Sequence, residues 1–180
     1  MVTRRYTKDY QLEYQLNSRG RICSKAVYKG DWFAFDAPAQ QLARTRRLYG
    51  AATVLAAALW AAALCVPAAF GRVWYLMLPM AFGLIPVWLA VASLARLLTA
   101  RQQVTREHRD KTGGRFSGAG IGILVTGGIA VIGGLVRMAA AGAAAWDIAF
   151  VLLSAGYTAC GGVLFACRAR LSMHALPKAE

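Results

Sequence analysis

The sequence GAGIGILVTGGIAVIGGLV, residues Gly118 to Val136, decides the fold class of this chain. It is 19 residues long, has no charged residue and contains seven glycines. In water such a helix would be poor, because each glycine costs about 1 kcal/mol relative to alanine. In a bilayer no water bonds the backbone, so a helix is favoured, and glycine allows a second helix to approach closely. The stretch therefore predicts a membrane helix inside a small bundle.

Small residues recur on this helix at every fourth position, and a second series, Gly120, Gly127 and Gly134, recurs at every seventh. A similar fourth-residue row follows later in the chain. We predict that the two fourth-residue rows pack against each other, because small side chains let helix backbones approach. The predicted helix-packing residues are Gly118, Gly122, Thr126, Ala130 and Gly134 on one helix, and Ser154, Thr158 and Gly162 on the other.

The hydrophobic content is 58% and the mean hydropathy is +0.43. Four apolar blocks, of which this stretch is the third, account for the excess over ordinary soluble domains. Each is long enough to cross the hydrocarbon core of a bilayer. We predict an all-α membrane protein with four transmembrane helices, arranged as two tight hairpins, and a small β-meander before them. The predicted transmembrane bundle is 38–180, with spans at about 48–70, 73–98, 118–137 and 147–167 and a basic loop at 99–117.

The net charge of +13 is distributed in a way that indicates topology rather than nucleic-acid binding. All but two of the 21 Lys and Arg lie before the first block, near the segment between the second and third, or after the fourth. The two exceptions are Arg72 and Arg137. This is the positive-inside pattern, and it predicts that both termini and the central loop are cytoplasmic. The same charges favour contact with anionic lipid head groups.

Residues 1–37 form a separate polar segment in which apolar and polar residues alternate from Tyr10 to Leu16. The period of two predicts a strand. A second strand over 21–28 and a third over 31–35 follow after turns, which gives a three-stranded meander. Such a sheet needs a surface to pack on. We predict that the membrane interface, the basic loop or another protein supplies it, through the docking residues Trp32, Phe33 and Phe35.

Two prolines interrupt the second block and lie seven residues apart, on one helix face. Each removes a backbone hydrogen bond and bends the helix. The pair, Pro79 and Pro86, is open to two interpretations. One is a discontinuous helix that lines a transport site, and the other is a pair of packing kinks. At the far end of the bundle, Arg137 and Asp147 are expected to form an exposed ion pair across the second hairpin.

Residues that carry catalysis or bind metals show no recognisable arrangement. None of the eight acidic residues lies within an apolar block, and both histidines, His108 and His174, lie outside the blocks. This counts against a carboxylate-driven proton exchanger and against a resemblance to small multidrug carriers. The four cysteines lack the spacing of a zinc motif. We therefore expect neither an enzyme nor a resident cofactor or metal.

The lengths of the segments on the two sides of the membrane suggest where the protein acts. The outer loops are very short, whereas the cytoplasmic side carries the meander and most of the polar chain. We expect a non-enzymatic accessory, regulatory or scaffold subunit that acts through its cytoplasmic face on a protein partner or as a homo-oligomer. The alternative is a small oligomeric transporter or channel without an intramembrane carboxylate. The Ala-, Gly- and Arg-rich composition suggests a bacterial plasma (inner) membrane.

Overall fold

A computed structural model describes residues 4–16, 22–66, 73–100 and 103–176. Within them, four helical segments are long and apolar enough to cross a membrane. They consist of α1 (Ala39–Leu64), α2 (Trp74–Phe82) with α3 (Leu84–Thr99), α4 (Arg106–Ala141) and α5 (Ala145–Ala169). The predicted turns at 17–20 and 71–72 lie outside the described residues.

The helices pack in the ring order α1, α3, α4, α5. The most extensive contact joins α4 to α5, followed by α1 with α5 and α3 with α4. Neighbours run antiparallel: Gly118 lies near Leu89, whereas Gly133, four turns further along α4, lies near Leu76. Large apolar side chains remain exposed around the outside of the ring, as expected for helices that face hydrocarbon.

The ends of the ring differ in composition. The basic end, where α1 and α4 begin and α3 and α5 end, carries all the strands. At the other end Arg137 Nε lies 2.9 Å from Asp147 Oδ1, which confirms the predicted ion pair. The pair is less exposed than expected, because Asp147 is buried at the start of α5.

Two small antiparallel sheets replace the predicted three-stranded meander. A short 3-10 helix (Arg4–Asp9) leads into β1 (Tyr10–Leu16), which pairs only with β2 (Ile22–Tyr28). The third strand, β3 (Trp32–Phe35), is the centre of a separate sheet between β4 (Gln103–Thr105) and β5 (Met173–Ala175). The physical reason is burial: packing against the bundle end lets β3 bury two phenylalanines that an isolated meander would expose.

The predicted basic loop at 99–117 is also corrected, because α4 already begins at Arg106. Thr105 caps this helix, and its hydroxyl oxygen accepts a hydrogen bond from the backbone N–H of His108 at 3.4 Å. Glu107 lies in the first turn, where negative charge favours the positive end of the helix dipole. The third span predicted from the sequence, 118–137, is therefore the C-terminal part of a helix of 36 residues.

Candidate functional site

The predicted packing row on α4 is divided between two neighbours. At Gly134, a β-carbon would lie 2.6 Å from Val151 of α5, as predicted for contact with the fourth span. At Gly122 it would lie 2.6 Å from Pro86 of α3, so this part of the prediction is corrected. The division follows from geometry, since positions four apart drift around a helix of 3.6 residues per turn and reach different neighbours.

The remaining members of the two rows have mixed surroundings. Ala130 is fully buried and packs in the cluster that includes residues of α2. The hydroxyl of Thr126 donates to the Gly122 carbonyl at 2.8 Å, and Thr158 donates to the Ser154 carbonyl at 2.7 Å. Both hydroxyls thus bond their own helix, and the Thr126 hydroxyl also lies 3.4 Å from the Tyr157 hydroxyl of α5.

The seventh-residue series is the closer contact between α4 and α5. A β-carbon at Gly120 would lie 3.0 Å from the backbone nitrogen of Phe165, and one at Gly127 would overlap the Thr158 hydroxyl. The series on α4 therefore meets a series on α5 in reverse order: Gly120 faces Phe165, Gly127 faces Thr158 and Gly134 faces Val151. On the facing side of α5, a β-carbon at Gly161 would lie 2.7 Å from Ile123. A β-carbon at Gly162 would meet only Leu124, at 4.0 Å. The sequence series could have identified this contact, whereas Gly161 gave no periodic signal.

The two prolines of the second span flank Gly83, where α2 passes into α3. Gly83 keeps right-handed helical geometry, and its N–H still bonds the Pro79 carbonyl at 2.9 Å. Side chains from neighbouring helices bond the carbonyls there. Trp60 Nε1 donates to the Met80 carbonyl at 2.8 Å, and the Tyr157 hydroxyl lies 3.4 Å from the Gly83 carbonyl. The α2–α3 junction is thus contacted by polar groups of α1 and α5, which can bond carbonyls near the prolines.

The predicted docking residues, Trp32, Phe33 and Phe35, differ in their exposure to solvent. Phe33 and Phe35 are only 7% and 8% exposed, in a core formed with Leu42, Val104 and Leu171 at the basic end. Their partner is therefore this protein's own chain: Val104 belongs to the central segment, which is one of the three surfaces that the sequence analysis named, and Leu171 belongs to the C-terminal segment. Burial there leaves these two phenylalanines unavailable to another protein. Trp32 differs, because 42% of its surface is exposed.

Among the described residues, the contacts of the β1–β2 hairpin with the rest of the fold lie at its base. Tyr28 packs edge to face against both Tyr10 and Trp32, at 5.2 Å between ring centroids in each case. Its hydroxyl donates to the Asp31 carbonyl at 2.8 Å and accepts from the backbone N–H of Arg106 at 3.0 Å. Desolvation raises the pKa of Tyr28, and the bond from Arg106 lowers it to a smaller extent.

Further from the base, one hairpin face exposes large apolar side chains. Leu12, Tyr14 and Ile22 are 64%, 73% and 74% exposed. They share a face, because Leu12 and Tyr14 alternate with polar residues and the strand register places Ile22 opposite Leu16. This apolar hairpin face is not covered by any described part of the chain. Sequence alternation predicted the strand, but it could not show that the bundle leaves this face uncovered.

A polar cleft of about 490 Å³ lies beside the sheet, between the start of α1 and the end of α5. Two arginines, one from each helix, line it together with short polar side chains. The lining residues are Asp36, Ala37, Gln41, Arg44, Thr45, Arg170 and Ser172. Asp36 at its edge has a lowered pKa, because the Ser172 hydroxyl and, to a lesser extent, the His174 ring stabilise its carboxylate.

Among the described side chains, no group of three or more His, Cys, Asp or Glu residues is placed to hold a metal ion. The three cysteines described, Cys65, Cys160 and Cys167, are free thiols. Comparison with protein-family models, with curated proteins and with solved structures gave no match to the chain.

Proposed function

We propose that this protein is a non-enzymatic membrane subunit that binds a protein partner through its cytoplasmic face. The observation that supports the proposal is the exposed apolar hairpin face, defined by Leu12, Tyr14 and Ile22. Its role would be accessory, regulatory or scaffolding. The distribution of Lys and Arg supports a cytoplasmic location for both termini, and the composition supports a bacterial plasma membrane.

The hairpin supports this proposal because no described part of the chain covers its apolar face. An isolated two-stranded hairpin is at best marginally stable in water, and it gains stability by packing one face on another surface. Here the base is fixed by Tyr28, while the apolar face extends away from the bundle core. Trp32 lies beside the base and is partly exposed, so it is the best aromatic anchor for a partner.

The experiment compares two neighbouring substitutions on β1. Leu12→Glu places a charge on the apolar hairpin face, and Gln11→Glu places the same charge on the opposite face, where the residue is already exposed. Each variant is affinity-purified in mild detergent and its stoichiometric co-purifying proteins are identified. We expect a partner to be retained by wild type and Gln11→Glu and lost from Leu12→Glu. Identical partners in both variants would contradict the proposal.

The alternative, a small oligomeric transporter or channel, gives a different result in the same experiment. The α2–α3 junction at Gly83, between the two prolines, is the feature that favours it. Purification of self-oligomers alone, unchanged by Leu12→Glu, would support this alternative. Loss of binding to protein-free anionic vesicles in Leu12→Glu, with no protein partner, would instead assign the hairpin face to the lipid surface.

A further inference from the structure

We propose that the polar cleft between α1 and α5 binds a phosphate group. The cleft contains two guanidinium groups, Arg44 from α1 and Arg170 from the residue that follows α5. Planar guanidinium groups bind phosphate oxygens in a bidentate manner, and two of them on opposite walls can hold one dianionic or monoanionic group. This inference does not depend on the hairpin or on a protein partner.

The charges of the cleft are available to a ligand. No described carboxylate lies within ion-pair distance of Arg44 or Arg170. The acidic residue of the lining, Asp36, lies at the edge and is bonded by Ser172 and His174 instead. The cleft therefore carries two cationic groups and a single carboxylate whose hydrogen-bonding capacity is partly used within the protein.

The other lining residues suit an oxyanion. Gln41 has an amide NH₂ that can donate, and Thr45, which is buried, has a hydroxyl that can donate or accept. A volume of about 490 Å³ exceeds what a bare phosphate needs and leaves space for the group esterified to it. The cleft is open on one side, so that group can extend outward.

The position of the cleft favours a phospholipid as the source of the phosphate. Arg44 lies just before the first predicted span, 48–70, and Arg170 lies just after the fourth, 147–167. The cleft thus lies at the level expected for lipid head groups. Free phosphate or a soluble phosphoester would use the same donors, and the experiment distinguishes these sources.

The experiment is a native mass spectrometry titration of the full chain in detergent. The probes are phosphatidylglycerol, diacylglycerol with the same acyl chains, and inorganic phosphate as a competitor. We expect phosphatidylglycerol to bind with defined stoichiometry and diacylglycerol to bind weakly. Competition by millimolar inorganic phosphate would identify a free phosphate as the preferred source, whereas no competition would identify the lipid.

A matched pair of double variants tests the site. Arg44→Gln with Arg170→Gln removes both cleft cations, and Arg47→Gln with Arg168→Gln removes two exposed cations of the same helices that do not line the cleft. We expect the cleft variant to bind phosphatidylglycerol about 10-fold or more weakly, since hydrogen bonds to charged groups contribute strongly. The control should bind as wild type.

Equal weakening in both double variants would overturn the proposal, because binding would then follow net charge alone. Folding is checked by size-exclusion chromatography and circular dichroism. If the cleft variant does not fold, Arg170→Lys replaces it, because it keeps the charge and removes the bidentate fork. Binding by Arg170→Lys at the wild-type level would equally contradict the proposed site.

Discussion

Replacing Gly127 with alanine should destabilise the bundle, because the added methyl group has no space between α4 and α5. The new carbon would overlap the Thr158 hydroxyl oxygen and would lie 2.9 Å from Cδ1 of Tyr157. Neither neighbour moves easily. The Thr158 hydroxyl donates to the Ser154 carbonyl at 2.7 Å, and the Tyr157 ring is fully buried.

The magnitude follows from two opposing effects. Inserting a methyl group into a well-packed contact costs about 1 to 3 kcal/mol. Replacing glycine with alanine in a helix contributes up to about 1 kcal/mol of stabilisation in water. Because the new carbon overlaps an oxygen atom, the cost lies at the upper end of its range, and subtracting the gain leaves a loss of about 2 kcal/mol in the free energy of unfolding for Gly127→Ala.

The adjacent glycine is the control. A β-carbon at Gly128 would meet nothing within 4 Å, so Gly128→Ala adds the same methyl group to the same helix without a clash. We expect Gly128→Ala to be neutral or slightly stabilising. Unfolding is followed by circular dichroism during titration with sodium dodecyl sulfate in mixed micelles. Equal destabilisation by both substitutions would refute the assignment of the seventh-residue series to the α4–α5 contact.

Three further predictions concern the membrane topology, the junction between α2 and α3, and the pH dependence of the sheet at the basic end. Reporters fused after Glu180 should behave as cytoplasmic and a reporter at Arg72 as external, and a reversed pair of signals would contradict the positive-inside assignment. Trp60→Phe should lower the free energy of unfolding by about 1 kcal/mol or more in the same titration, because it removes the hydrogen bond to the Met80 carbonyl of α2. An unchanged midpoint would show that the bond contributes nothing. Because the pKa of Asp36 is lowered in the folded state, its contribution to stability is present above its unfolded pKa and is lost as pH falls through the folded pKa. The protection factors of the β5 amides, which are exchange rates corrected for the intrinsic pH dependence, should therefore fall in acid for wild type but not for Asp36→Asn. Identical pH profiles of the protection factors would exclude this carboxylate as the cause.

The sequence predicted the helices well because their signal is local. Four apolar blocks bounded by Lys and Arg correspond to four helical segments that are long and apolar enough to span a membrane. The strand at Tyr10–Leu16 was equally local, since alternation is visible in seven residues. The sequence also indicated the ion pair between Arg137 and Asp147, because both residues flank a short connection.

The pairing of β3 could not be predicted, because its partners carry no pattern. The strands β4 and β5 are three residues each, too short for an alternation, and both lie far from β3 in the sequence. Polar composition likewise concealed the first turns of α4, which have no apolar stripe. The cleft arginines, Arg44 and Arg170, were interpreted as topology charges, and only the fold brings them to one place.

The central position of β3 has a consequence for biosynthesis. This strand is synthesised before α1 to α5. One of its edges pairs with β4 and the other with β5, which is synthesised last among the described elements. The link between Asp36 and His174 joins positions 138 residues apart. The basic end therefore closes only after all four helices exist, and a ribosome-stalled chain that lacks β5 would present an unpaired strand edge. We expect membrane proteases and chaperones to distinguish complete from incomplete chains at this sheet rather than within the bundle.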